Sequence, residues 1–538
     1  MSITSSPIPV VDLFAGPGGL GEGFSALDDG KAFQIAVSAE RDPIAHQTLR
    51  LRAFYRLLRT YRPEALDDYY RFCNGESDVA YSDKTQLFWE LAGKEALCLE
   101  IGSQKGNAEL DNAIKRAVKT KEDNKPWVLI GGPPCQAYSL VGRSRNKGKA
   151  NYKPEEDHRH FLYKEYLRII QRNHPDIFVM ENVKGILSSK IDGKLIFHQI
   201  LQDLANPDKA LGIHDSNSPQ YRIVSLVNEQ VFKDGDDPTI VDAKRYIIRA
   251  EDHGIPQARH RVILLGVRED HFRDELPKLQ PSKTVSVRAA IGDLPTLRSQ
   301  LSSRLSKEKD SAEKWENAVQ KELWKLACHA KSGNSDEKAL YEALKDTSLR
   351  INNSTEIGHT KLPKLQAMSS DNDNDNDNEW SQLKNWYHDS KLKVWLNHES
   401  RGHRIDDLAR YGYAACFASV HKRSPKGHEE FALPGLAPAH KNWESGKFSD
   451  RFKVQLADSP STTITSHISK DGHYFIHYDP IQCRSLTVRE AARLQTFPDN
   501  YFFIGGRTQQ YHQVGNAVPP LLANQIAEVV RKIIQPSI

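Results

Sequence analysis

The chain has 538 residues, 38% of them hydrophobic and 27% charged, and its 74 basic and 70 acidic side chains leave a formal charge of +4. That length predicts about two to four domains, and no apolar run approaches the roughly 18 residues of a membrane span, which excludes an integral membrane protein. The six cysteines (Cys73, Cys98, Cys135, Cys328, Cys416 and Cys483) show no CxxC spacing. Met1 to Pro9 lacks the basic and apolar pattern of a leader, so a reduced, cytoplasmic setting without disulfide framework or zinc module is expected.

In chain order, the apolar runs VVDLF, AVSAE, WVLIGG, IFVMEN and RVILLGV punctuate the first 293 residues. Each lacks polar alternation, as strands covered on both faces do, and the stretches between them are long enough for crossover helices. The pattern predicts an α/β fold with a doubly wound parallel sheet. The first run opens into a turn with Gly16, Gly18 and Gly19. Such a turn lets backbone approach a nucleotide-like ligand beside a helix N-terminus, or it is simply a tight turn. About twenty residues on, Glu40 closes the next run, where such folds hold ribose hydroxyls; a surface carboxylate is the alternative. The stretch from Leu49 to about Asn124, rich in Arg, Tyr and Glu, reads as a helical insertion.

WVLIGG continues into Pro133, Pro134 and Cys135. Two prolines set the backbone before a lone thiol at a strand end, a placement that suits a nucleophile better than an inert core cysteine. The next segment carries Arg143, Arg145, Lys147, Lys149 and Lys153 with Gly142 and Gly148 and no acid, and reads as a closing loop that grips phosphates. IFVMEN ends in Glu181 and Asn182, either a proton donor to a ring nitrogen or a helix-capping pair.

From residue 294 to 452 strand-like runs are rare and charged, Ser-rich and His-rich segments dominate, including DNDNDNDN from Asp371 to Asn378, a solvated loop by composition. Cations and aromatics gather in HESRGHRIDDLARYGY (His398 to Tyr413) and in VHKRSPKGH (Val420 to His428), which suits them to groove contacts with nucleic acid. Residues 453–538 return to an apolar pattern and end in a helix with Leu522, Ile526, Val529, Val530 and Ile533 on one face.

Three of these segments, VVDLFAGPGG, GGPPCQ and ENV, together resemble the DNA cytosine-5 methyltransferase family of prokaryotic restriction-modification type. GIPQARHRV (Gly254 to Val262), RSLTVREAARLQTFPD (Arg484 to Asp499) and QVGNAVPP (Gln513 to Pro520) agree in the same order. The resemblance implies a Rossmann-like methyltransferase domain over residues 1–293, a smaller target-recognition domain over 294–452, and a return segment over 453–538 that completes the catalytic domain. It implies S-adenosylmethionine as cofactor, with Phe14, Gly16 and Gly18 lining it, Glu40 on the ribose and Asn516 beside the methionine moiety. Cys135 would be the nucleophile, Glu181 the contact to cytosine ring nitrogen 3, and Arg259 and Arg261 the arginines near the target base and its phosphate. The family often carries an Asp on the adenine amino group, and CLEIGSQKG (Cys98 to Gly106) offers no clear equivalent.

Thiolate addition at carbon 6 turns cytosine into an enamine that can attack a sulfonium methyl group, so a cysteine and a proton donor to nitrogen 3 are both needed. The base must leave the duplex stack to meet them. The expected partner is double-stranded DNA, with a cognate restriction endonuclease acting separately, and no membrane or metal is required. The alternatives are a tRNA cytosine-5 methyltransferase, which lacks a large recognition region, and an inactive cofactor-binding regulator, against which the intact Cys135 and Glu181 argue.

Overall fold

A computed structural model of the chain describes residues 6–118, 125–134, 162–191, 193–214, 218–302, 310–330, 335–352, 355–364, 378–438, 443 and 451–535. Cys135, Arg143, Arg145 and Lys147 lie outside the described residues, as does most of the DNDNDNDN run.

The predicted strands form: β1 (Ile8–Leu13), β2 (Phe33–Glu40), β3 (Ala96–Cys98), β4 (Val128–Gly131) and β5 (Ile177–Val183). They pair in the order β3-β2-β1-β4-β5, all parallel. The order reverses between β1 and β4, which opens a crevice beyond their carboxyl ends, where this topology takes its ligands. Helix α1 (Gly19–Ala26) follows β1 and α2 (Pro43–Tyr61) follows β2. Asp42 starts α2 by accepting the amides of Ile44 and Ala45, with Pro43 in its first turn.

The stretch read as a helical insertion holds α3 (Asp67–Cys73), α4 (Gln86–Glu95) and α5 (Gln104–Val118), but also the edge strand β3. Three residues of Ala, Leu and Cys are too short a run to announce a strand.

After α6 (Leu162–Asn173), which precedes β5, and α7 (Ile196–Ala205), the sheet continues with β6 (Tyr221–Val224), β7 (Val231–Phe232), β8 (Ile247–Arg249) and, beyond the short β9 (Gln257–Ala258), β10 (His260–Arg268). The doubly wound parallel core forms as expected, and beyond β5 the sheet turns antiparallel. Strand β10 lies between β5 and β6 and runs antiparallel to both, and β8 pairs antiparallel with it. A strand buried on both faces has the same apolar pattern in either direction; only its connections set its sense.

Both faces of the sheet are covered. Val11, Leu13, Phe178, Met180 and Leu264 pack with α5, α6 and α7, whereas Val10, Ile130, Val179 and Ile263 pack with α1 and the last helix. Beyond β10 come α8 (Val287–Ile291), α9 (Ala312–Ala330), α10 (Ser335–Arg350), β11 (Gly358–Pro363), α11 (Asn378–Tyr387), β12 (Val394–Glu399) and α12 (Ile405–His421). Helices α9, α10 and α12 share their own apolar core around Trp315, Leu323, Leu344 and Tyr411, and β11 pairs antiparallel with β12. The chain returns through β13 (Ser461–Thr462), α13 (Val488–Leu494), α14 (Arg507–Asn516) and α15 (Pro520–Ile534), whose Leu522, Ile526, Val529, Val530 and Ile533 are buried as their spacing predicts. No helix of the described residues is long and apolar enough to cross a membrane.

Helices α1 and α15 approach closely. A Cβ on Gly23 would stand 2.3 Å from the Pro520 carbonyl oxygen and 2.4 Å from the Ala523 Cβ. Gly23→Ala is therefore expected to destabilise the protein by about 1–3 kcal/mol through overpacking, read as a lower urea midpoint at unchanged slope.

Candidate active site

The turn after β1 is held open by its backbone. Phe14, Gly16 and Gly18 all have positive φ, at 56°, 57° and 100°. For Phe14 this is a strained conformation of the kind found where a site over-determines the backbone. A Cβ on Gly16 would meet nothing within 4 Å, whereas one on Gly18 would stand 2.8 Å from the Leu49 Cδ1 and 3.0 Å from the Tyr501 hydroxyl. Gly16 thus faces open space and Gly18 is packed from behind. Glu40 braces the turn: its Oε2 accepts the Gly16 amide at 2.8 Å and its Oε1 the Asp42 amide at 2.7 Å. Each carboxylate oxygen retains acceptor capacity for a hydroxyl.

Asn516, the last residue of α14, is exposed. Its neighbours place it: a Cβ on Gly19 would fall 2.3 Å from the Val518 carbonyl oxygen, so the chain just past Asn516 lies directly on the start of α1. The open cradle at Gly16, the acid at the end of β2 and the exposed amide of Asn516 form a set that fits a nucleoside with an amino-acid tail. Asp12 lies beneath the turn, buried, without a side-chain partner among the described residues. Burial pushes its carboxyl up to about 8, with Arg56 opposing.

The second group stands beyond β4 and β5. A Cβ on Gly132 would lie 3.0 Å from the Glu181 Oε2, and the Asn182 side-chain amide donates to the Pro133 carbonyl at 3.3 Å. The chain thus passes against Glu181 and Asn182 just before Cys135. Antiparallel pairing sets Ile263 opposite Glu181, so Arg261, two residues away and on the same face, reaches across to it: Nε to Oε1 is 2.9 Å.

Arg259 points elsewhere. It is buried and donates through Nη1 to the carbonyls of Ile464 (3.0 Å) and Gly515 (3.4 Å). Burial, and then the neighbouring Arg261, push its guanidinium well below its ordinary pKa, with Glu181 opposing. Gln257 completes the tie, donating to the Leu494 carbonyl and accepting the Ile464 amide.

The profile of C-5 cytosine-specific DNA methylases matches residues 104–209 and 242–532. The type II methyltransferase M.Bpa9945I of Bacillus paralicheniformis is 32% identical over 543 residues, covering 98% of this chain and 99% of that protein. The chain belongs to the C-5 cytosine-specific DNA methylase family. It is a DNA (cytosine-5-)-methyltransferase. Two further relatives are each 25% identical: the type II methyltransferase M.AgeI of Thalassovita gelatinovora, over 75% of this chain and 82% of that protein, and the DNA (cytosine-5-)-methyltransferase M.ApeKI of Aeropyrum pernix, over 85% and 91%.

A carboxylate follows β3: Glu100, within the CLEIGSQKG stretch, lies two residues past the strand end, and Arg41 pairs with it at 3.0 Å. One site expectation for this methyltransferase changes, that for His398 to Tyr413. His398, Arg401, His403, Arg410, Tyr411 and Tyr413 are buried, so they hold the segment together and do not face a groove. His398 contacts the Thr487 hydroxyl and the Pro295 carbonyl, and Arg401 donates to the carbonyls of Ile468 and Lys470. In Val420 to His428, by contrast, Lys422, Arg423, Lys426 and His428 are exposed.

Asp12 generates a pH dependence. Its folded pKa of about 8 exceeds the ordinary 3.8, so the folded state holds one proton more than the unfolded state between those values. Its contribution is complete below the lower value and falls as pH rises through the upper one. Asp12→Asn should remove that decline: the stability gap between variant and wild type, measured by denaturation, widens in the variant's favour from pH 5 to pH 9. Parallel profiles would show that Asp12 stays ionised.

Proposed function

We propose that the protein transfers a methyl group from S-adenosylmethionine to carbon 5 of a cytosine in a specific sequence of double-stranded DNA, as the modification enzyme of a restriction-modification system whose nuclease acts separately in the same cytoplasm. The observation that carries this is the convergence of Glu181, Arg261 and the Gly132–Pro133 backbone one residue short of the Pro134–Cys135 step.

When bound, S-adenosylmethionine supplies an electrophilic methyl group. Phe14, Gly16 and Gly18 line its place, Glu40 takes the ribose hydroxyls, Asn516 lies beside its methionine moiety, and Glu100 is the acid for the adenine amino group. Cys135 adds to carbon 6 of the flipped base while the carboxyl group of Glu181 shares a proton with ring nitrogen 3, so electron density reaches carbon 5. Once carbon 5 is methylated, its proton leaves to a base and the bond from carbon 6 to sulfur breaks, regenerating the thiolate. Arg261 fixes the Glu181 carboxylate in orientation. Arg259 holds the loop at Ile464 against the turn at Gly515, and its Nε, without a partner among the described residues, offers a donor to an anion. Residues 294–452 read the sequence, and Arg143, Arg145 and Lys147 hold phosphates.

Cys135→Ala should abolish transfer of labelled methyl to DNA while cofactor binding, measured by calorimetry, persists; turnover by this variant would remove the thiol from the mechanism. Glu181→Gln should lower the rate by about 10²–10⁴-fold with DNA affinity nearly constant. Bisulfite sequencing of DNA from expressing cells maps the methylated site, and a random distribution would refute sequence-specific modification.

A further inference from the structure

The stretch between α2 and β3 does more than lengthen a crossover. Its helix α3 abuts the segment 387–399, and a line of buried polar contacts runs from there to the glycine turn. Glu22, in α1, accepts a bidentate pair from Arg52 in α2 at 2.8 and 2.6 Å. Arg52 donates onward to the Asn500 side-chain oxygen at 2.9 Å. Asn500 donates to the Asp389 carboxylate at 2.5 Å, and Tyr70 in α3 donates to the same oxygen at 2.5 Å. Asp389 lies in the link between α11 and β12, where it also accepts the Lys391 amide. The residue after Asn500 faces the other way: the Tyr501 hydroxyl donates to the Pro17 carbonyl within the glycine turn. Glu22, Arg52 and Asn500 are all buried.

We propose that Asn500 and Tyr501 act as a lever that couples occupancy of the glycine turn to the placement of the β11–β12 hairpin, with Asp389 and Tyr70 as its positioning residues on the recognition side. Two consecutive residues grip the two ligand-bearing parts, so a shift of the Pro17 carbonyl on cofactor seating moves the Asn500 amide that holds Asp389. Buried networks of this kind carry coupling because neither end can move without leaving a polar group unpaired. A second contact set at the same interface, the exposed ion pair of Lys393 with Glu76 at 2.8 Å, lies outside the line and supplies a control.

The inference rests on the cofactor and DNA assignments above. DNA affinity is measured on the full chain, with and without saturating S-adenosylhomocysteine, for a short duplex carrying the site mapped by bisulfite. In the wild type the cofactor product should tighten DNA binding about 5-fold or more, the low end of ordinary coupling. Asp389→Ala and Tyr70→Phe should each reduce that factor to below about 2-fold. Each ligand alone should bind as in the wild type, and the thermal midpoint of Tyr70→Phe should be nearly constant. Asp389→Asn, which keeps an acceptor, should restore part of the factor, and Lys393→Gln should leave it intact. An unchanged factor in both Asp389→Ala and Tyr70→Phe overturns the lever, as does a wild type that binds both ligands without coupling. A wild type that binds no S-adenosylhomocysteine overturns the cofactor assignment first and the lever with it.

Discussion

Three guanidinium groups with almost no exposure, those of Arg484, Arg489 and Arg493, hold the parts of this protein together. A cation taken out of water must find partners for its donors, and here the partners come from separate regions of the chain. Arg484 pairs with Glu490 and donates to the Leu297 carbonyl; Arg493 pairs with Asp499 and Asp293; Arg489 donates only to carbonyls, of Leu396, Pro498 and Tyr501. Their pKa directions follow the partners. Burial opposes ionisation of Glu490, yet Arg484 overrides it and holds the carboxyl well below its ordinary value. Arg489, without a carboxylate in contact, is pushed by burial down to about 10. Helix α13, with Arg484 just before it, is thus a node where the segment at Asp293 and Leu297, the β11–β12 hairpin and the returning chain meet, and removing one partner would strand a buried charge at a cost of about 3–5 kcal/mol.

What could be read from the amino-acid string follows from which interactions are local. Strands β1, β2, β4, β5 and β10, the face of α15 and the glycine turn are encoded by neighbours a few residues apart, and they form where expected. The sense of β10 depends on connections that no short pattern reports, and it has a chemical consequence: the antiparallel register is what lets Arg261 reach Glu181. The same holds for Glu100, which lies two residues beyond Cys98, the residue that the pairing of β3 with β2 sets opposite Glu40.

The stretch from His398 to Tyr413 misled for a related reason. Arg, His and Tyr close together suggest a solvated, groove-facing surface, because such side chains are costly to bury without partners. The partners exist but are remote in sequence: Thr487 and Pro295 for His398, Ile468 and Lys470 for Arg401, Leu436 for Arg410, and His473 for Tyr411. Composition records the residues but not the carbonyls that satisfy them. Of the cations in that stretch Arg404 is exposed, paired with Asp406, and further exposed cations gather past the end of α12, at Lys422, Arg423 and Lys426.

The two ends of the 294–452 segment explain how a sheet enzyme tolerates so large an excursion between its last strand and its last helices. Strand β9 pairs parallel with β13, Gln257 beside Ser461 and Ala258 beside Thr462, and the Gln257 side chain accepts the Ile464 amide. The excursion therefore leaves the catalytic body and re-enters it beside Arg259 and Arg261. Loop-closure entropy grows only logarithmically with length once such ends are pinned. Residues inside the excursion can change with little penalty to the sheet, provided that the contacts of Arg484 with Leu297 and of Arg489 with Leu396 persist. Because the pins lie at β9, directly before β10, substitutions beyond them leave Arg259 and Arg261 where the sheet sets them.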